Sequence, residues 1–173
     1  LFGAAVSASL AGMEHTRKNY LALSCFTAVF FVLQIASVSM FTMDTTLKLY
    51  PLLSHLPVFL YILIYLRRSW MVSLASVFVS YLCCQPPRWV GSVMGAALGS
   101  ASANHIGYIA AAAVMYYLLQ KYVINSARYL IERSVKSCLL FAAMPAFYYV
   151  FDFAATVYTD FLYTGNRAAV QFM

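Results

Sequence analysis

The sequence predicts an all-α fold: a polytopic transmembrane helical bundle of about five full spans, with a truncated span at each end. Three observations predict it. Of 173 residues, 64% are hydrophobic and 9% are charged, against roughly 25% charged in a typical soluble domain. The mean hydropathy is +0.78. The charges fall in short clusters between apolar runs. A soluble core of this length would need many more charges to cover its surface. Residues 1–173 therefore read as one membrane-embedded domain with no soluble domain.

The formal net charge of +6 would suggest nucleic acid in a soluble protein. Here the basic residues sit between spans, which is the positive-inside pattern of cytoplasmic loops and points to no nucleic acid. The cysteines Cys25, Cys83, Cys84 and Cys138 form no CxxC and have no histidine at metal-ligand spacing. Vicinal Cys83 and Cys84 read as buried thiols ahead of a redox pair. No P-loop, Rossmann glycine pattern, GxSxG or HExxH occurs. No catalytic residue, metal site or cofactor is expected.

The elements follow in order. Residues 1–13 are about a dozen apolar residues without a basic leader, too short to span. They read as the tail of a span that begins earlier. Residues 20–41 form the next span, and a loop with balanced charge (Asp44, Lys48) follows. Residues 50–66 contain Pro51 and Pro57 with His55 between them, so a kink near Pro57 is expected, its freed carbonyl satisfied by a neighbour. Arg67-Arg68-Ser69 reads as a tight turn. Residues 70–84 make a short span that Gln85-Pro86-Pro87 ends.

Residues 89–122 carry small residues at every fourth position: Gly91, Gly95, Gly99, Ala103, Gly107 and Ala111. Such a stripe lets two helix backbones approach closely, either as a helix pair within the chain, the favoured form, or as a homodimer seam. Charge parity sets the number of crossings. One span at residues 105–122 puts eight basic residues on one side (Arg17, Lys18, Arg67, Arg68, Lys121, Arg128, Arg133, Lys136) and three on the other (Lys48, Arg88, Arg167). The richer side is cytoplasmic. Residues 90–103 become an outer-side or half-inserted helix. Residues 121–136 are amphipathic, with Arg128 and Glu132 four apart, and read as an interfacial helix on an anionic leaflet. Residues 137–158 form the last full span. Another is expected from about Ala168, and both ends look cut.

Asp152 lies near the far end of that last span, where a charge is costly and faces protein or water. On a helix its stripe neighbours are Tyr148, Tyr149, Thr156 and Thr159, with Asp160 close by. One reading is a carboxylate satisfied by Tyr and Thr hydroxyls or by an arginine of another helix. The other is an outer-side pocket for a ligand, formed by Asp152, Tyr148, Tyr149, Thr156 and Asp160. His55 and His105 read as packed or interfacial residues. Asp152 and Asp160 are eight apart on one helix, which excludes an intramembrane protease pair.

The strings YLRRSW (65–70), CCQPPRW (83–89) and ERSVKSCLLFAAMPAFYYVFDFAATVYTDFLYTG (132–165) resemble the membrane sensor region of bacterial GHKL-type sensor histidine kinases. That group is distantly similar to quorum-peptide receptor kinases. The resemblance implies a two-component receptor in the bacterial cytoplasmic membrane that takes a peptide or small ligand. It also implies a homodimer formed through the parent protein and a cytoplasmic response regulator downstream. The phospho-accepting histidine and the ATP-binding segments of that family are absent here, so the resemblance implies the input half alone. A transporter or channel subunit and a structural membrane subunit stand as alternatives.

Overall fold

A computed structural model describes residues 2–40, 45 and 48–157, the side chains of Val38, Thr156 and Val157 excepted. The described residues are helical and hold no strand. Among the described residues seven helices follow in order: α1 (Phe2–Leu10), α2 (Arg17–Met40), α3 (Pro51–Tyr65), α4 (Trp70–Leu98), α5 (Ala101–Leu118), joined by a π turn (Leu119–Val123) to α6 (Ile124–Arg133), and α7 (Val135–Val157). Two of them, α2 and α7, are long and apolar enough to cross a membrane, and α3 is a shorter apolar helix.

The short α1 sits at the centre. Its Val6, Ala8 and Leu10 are all but fully buried. Val6 and Leu10 pack with Val79, Leu119 and Ile124, Ala8 packs with Leu23, and Ala4 and Ala11 pack with Val58, Ile62 and Val77. Small residues make this possible, because they let neighbouring backbones come near. Its two buried serines are both bonded: Ser7 Oγ donates to Ser80 Oγ at 2.5 Å, and Gln120 Nε2 donates to Ser9 Oγ at 2.7 Å. The outer surface is the reverse. Leu140, Met144 and Phe147 of α7 and Val29, Val32 and Leu33 of α2 all stand exposed.

Helix α3 is not a regular α-helix. Residues Pro51–His55 and Tyr61–Tyr65 take the wider π form around an α-helical turn, Leu56–Leu60. Pro57 has no N–H to offer the carbonyl four residues back, which belongs to Leu53. Gln34 Nε2 of α2 donates to that carbonyl at 3.2 Å and to Ser54 Oγ at 3.0 Å. The neighbour expected to restore the bond lost at Pro57 is thus Gln34, and the helix answers the prolines with π turns on either side of Leu56–Leu60.

The expected stop at Gln85-Pro86-Pro87 does not occur. Helix α4 runs through both prolines to Leu98. Gln85 and Pro87 are buried against neighbouring helices, and packing overrides the local break. Residues 90–98 are thus the end of α4 and not a separate half-inserted helix. The chain then reverses at Gly99, whose φ of +60 gives a left-handed cap with its N–H on Gly95 O, a conformation that favours glycine.

The small-residue stripe closes this hairpin from within. A Cβ on Gly91 would stand 2.8 Å from Asn104 O, one on Gly95 2.8 Å from Asn104 Cβ, and one on Gly107 2.6 Å from Met94 Sδ. Ala103 is buried too. The stripe therefore serves an intrachain pair. Gly99 is the exception to the expected packing face: a Cβ there meets open space, and its role is the turn.

The basic loops meet at one end of the bundle. The Arg68 guanidinium donates to Gly12 O at 3.1 Å and pairs with Glu132 at 3.5 Å. The expected Arg128–Glu132 pair stands at 4.0 Å. Arg67 turns the chain there with φ +51.

Gly95→Ala should destabilise the bundle by about 1–3 kcal/mol through overpacking, read by reversible unfolding in mixed micelles. Gly99→Ala should cost about 1 kcal/mol through its φ alone. If Gly95→Ala lowered only a dimer fraction and left monomer stability unchanged, the stripe would belong to a homodimer seam instead.

Candidate functional site

Asp152 faces α4. The hydroxyl of Tyr81, eleven residues into α4, donates to Asp152 Oδ2. The carboxylate is thus satisfied by a tyrosine, but one from a neighbouring helix and not from its own stripe. Tyr149 reaches α3, where its hydroxyl lies 3.1 Å from His55 Nδ1. His55 stands on the first π turn of α3, and such widened turns recur at functional sites. Its ring meets Tyr50, Tyr81 and Tyr149 edge-on, at centroid distances of 5.2, 5.4 and 5.0 Å. Tyr81 and Tyr149 meet edge-on at 4.8 Å. Edge-to-face pairs of this kind fix ring orientation and each add about 0.5–1.5 kcal/mol beyond burial.

Three helices therefore converge: α3 through His55, α4 through Tyr81, α7 through Tyr149 and Asp152. At about 1.5 Å per residue, the cluster lies some 17–26 Å along α4 and α7 from the basic end. Of the expected site residues, Asp152, Tyr148 and Tyr149 come together here. Tyr148 contributes only a tilted ring contact to Tyr81 at 6.4 Å. The side chain of Thr156, and Asp160 altogether, lie outside the described residues.

Beside the cluster lies a cavity of about 310 Å³, reached by Tyr50, His55, Tyr81, Gln85 and Arg88. Among the described residues no carboxylate lines it, and Asp152, Tyr148 and Tyr149 stand outside its wall. Gln85 is 4% exposed, and its Nε2 has no hydrogen-bond partner. A buried amide donor without a partner costs about 1–3 kcal/mol, and a bound acceptor would recover that. The cavity can thus hold a small amphipathic molecule with a carbonyl, carboxylate or phosphate oxygen.

Tyr81, His55 and Gln85 were not expected at the site. One signal was available for the α4 residues. Ser73, Ser76 and Ser80 recur at helical spacing and are buried, as is Gln85; Gln85 lies four residues beyond Tyr81 and so shares its face. His55 gave no such signal, because its partner lies 94 residues away.

Tyr81→Phe should cost about 1–3 kcal/mol by leaving Asp152 without its donor. A double-mutant cycle with Asp152→Asn should return a coupling of at least about 0.5 kcal/mol. Tyr148→Phe should stay within about 0.5 kcal/mol. Equal effects of the two tyrosine changes would place the bond elsewhere. No family model, curated protein or solved structure matches the chain.

Proposed function

We propose that this chain is a multi-pass membrane receptor bundle, the signal-input region of a GHKL-type sensor histidine kinase, and that its input site is the cavity beside Asp152. The carrying observation is the convergence of three helices on Tyr81–Asp152 and His55–Tyr149 next to a cavity with an unpartnered buried donor. A ligand there touches helices that run on to the basic end. Its preference for one packing of α3 and α4, passed to α7 through Tyr81–Asp152, would shift the balance between two arrangements. The attachment to a kinase rests on the sequence resemblance, and the dimer and the response regulator come with it.

Two further observations support the membrane setting. The inside holds serines and a glutamine, while the outside holds leucine, valine and phenylalanine. That is the pattern expected where lipid is the solvent, because apolar patches of this extent are rare on soluble monomers. The basic loops gather at one end, which fits a cytoplasmic face and about five crossings. A proton-conducting transporter is less well supported. The pairs Tyr81–Asp152 and His55–Tyr149 touch through ring edges and not through a continuous hydrogen-bond chain. A structural subunit loses its expected partner face, since the glycine stripe is occupied within the chain.

In a reporter strain carrying the full reading frame, Gln85→Leu on the cavity wall and Asp152→Asn, which acts through Tyr81 on that wall, should each move the midpoint of the signal response by about tenfold. That is the equivalent of one hydrogen bond of about 1.4 kcal/mol. Membrane levels should be unchanged. Superimposable dose responses for both variants would sink the proposal.

A further inference from the structure

Two adjoining cavities lie where α4 and α7 begin, away from the Asp152 cluster. The first, about 510 Å³, is a polar mouth with Arg67, Arg68, Glu132 and Ser134 on its wall. The second, about 370 Å³, is an apolar groove between α4 and α7, walled by Leu74, Phe78, Leu139, Ala142, Ala143 and Ala146. Met71 and Cys138 line both, so the mouth continues into the groove.

The charges at the mouth do not cancel. Glu132 is engaged by Arg68 and Arg128. Arg67 has no ion pair among the described residues. It is exposed and is held at φ +51, a region that non-glycine residues seldom occupy and that recurs at ligand clamps. The hydroxyls of Ser69 and Ser134 accept from Val72 N and Ser137 N, so the helix starts are capped and the uncompensated charge is that of Arg67. Trp70, 61% exposed, edges the apolar groove. Tryptophan at that position marks the boundary between headgroups and acyl chains.

We propose that this continuous surface seats one anionic glycerophospholipid, its phosphate on Arg67 and Arg68 and one acyl chain along the α4–α7 groove. The occupant follows from the order of the chemistry. A free phosphate complements the mouth alone, a hydrocarbon complements the groove alone, and an anionic phospholipid complements both in sequence. The inference rests on the membrane setting and not on the ligand cavity at Asp152.

The test is native mass spectrometry of the chain released from nanodiscs of equal phosphatidylglycerol and phosphatidylcholine. One phosphatidylglycerol per chain should be retained about fivefold over phosphatidylcholine, the worth of one basic side chain at an anionic surface. Arg67→Gly suits the left-handed backbone, so it should melt no lower than the parent and yet lose that preference. Ala143→Trp, which fills the groove with Arg67 intact, should lower retention to a similar degree. Ala146→Phe, nearly one turn on, gives the same readout should the tryptophan variant fail to fold. Equal retention of the two lipids overturns the proposal. So does loss in Arg67→Gly with full retention in both groove variants, which means attraction at the basic rim only. Displacement by inorganic phosphate at millimolar concentration also overturns it, because it points to a phosphate site without an acyl chain.

Discussion

The bundle depends on α4 passing through Pro86 and Pro87 without ending. Its first turns frame the apolar groove with α7. Its middle supplies Ser80 to α1 and Tyr81 to Asp152. Its last turns supply Gly91 and Gly95 to α5. Had the helix stopped at Gln85, the hairpin with α5 would lose its register, because Gly91, Met94 and Gly95 must lie on one rigid rod to meet Asn104 and Gly107. A proline inside a helix gives up one backbone bond and crowds the carbonyl four residues back, a cost of about 3 kcal/mol or more. Burial of Gln85 and Pro87 against neighbours offsets it. The close approach at the glycines adds dispersion contacts that a larger residue would prevent.

The interior follows a second constraint. A polar group buried away from water needs a partner within the protein. Gln34 shows how local the solution is, since it meets the one carbonyl that Pro57 leaves open. Ser7, Ser9 and Ser80 bond to each other or to Gln120. Against that background the buried groups left without partners stand out: Tyr61 Oη, Ser76 Oγ and Gln85 Nε2 among them. Of these, Gln85 lines the cavity beside Asp152. An exception to a rule kept so widely elsewhere is a reason to look there for a ligand.

The helical class, the Arg128–Glu132 pair and the internal use of the glycine stripe were legible in the sequence, because the pair lies one turn apart and the closest contacts of the stripe's glycines lie no more than 13 positions away. Even the stripe is local, being a repeat of four that folds back on itself at Gly99. The course of α4 was not legible. Gln85-Pro86-Pro87 is a strong stop in isolation, and only its burial against helices distant in sequence reverses it. The site was half legible. Periodicity named the face of α7 that carries Asp152 and Tyr149 but could not name what faces it. Tyr81 is 71 residues from Asp152, and His55 is 94 from Tyr149. A single sequence contains no term for such pairs.

The pin between α4 and α7 and the seam between them lie on the same two helices. Tyr81–Asp152 ties them well beyond their first turns, and the apolar groove separates those first turns. A lipid wedged into the groove and a ligand beside the pin would act on one relative position of two stiff rods. Neither would need to touch the other. Linkage then requires reciprocity: whatever the lipid does to the affinity of the cavity, the cavity's ligand does to the affinity of the groove, by the same factor. Removing the pin should weaken that coupling without emptying either site. Under the proposed function, the connection between the cavity and the basic end would be carried by helix position, which packed helices can hold in a small number of discrete arrangements.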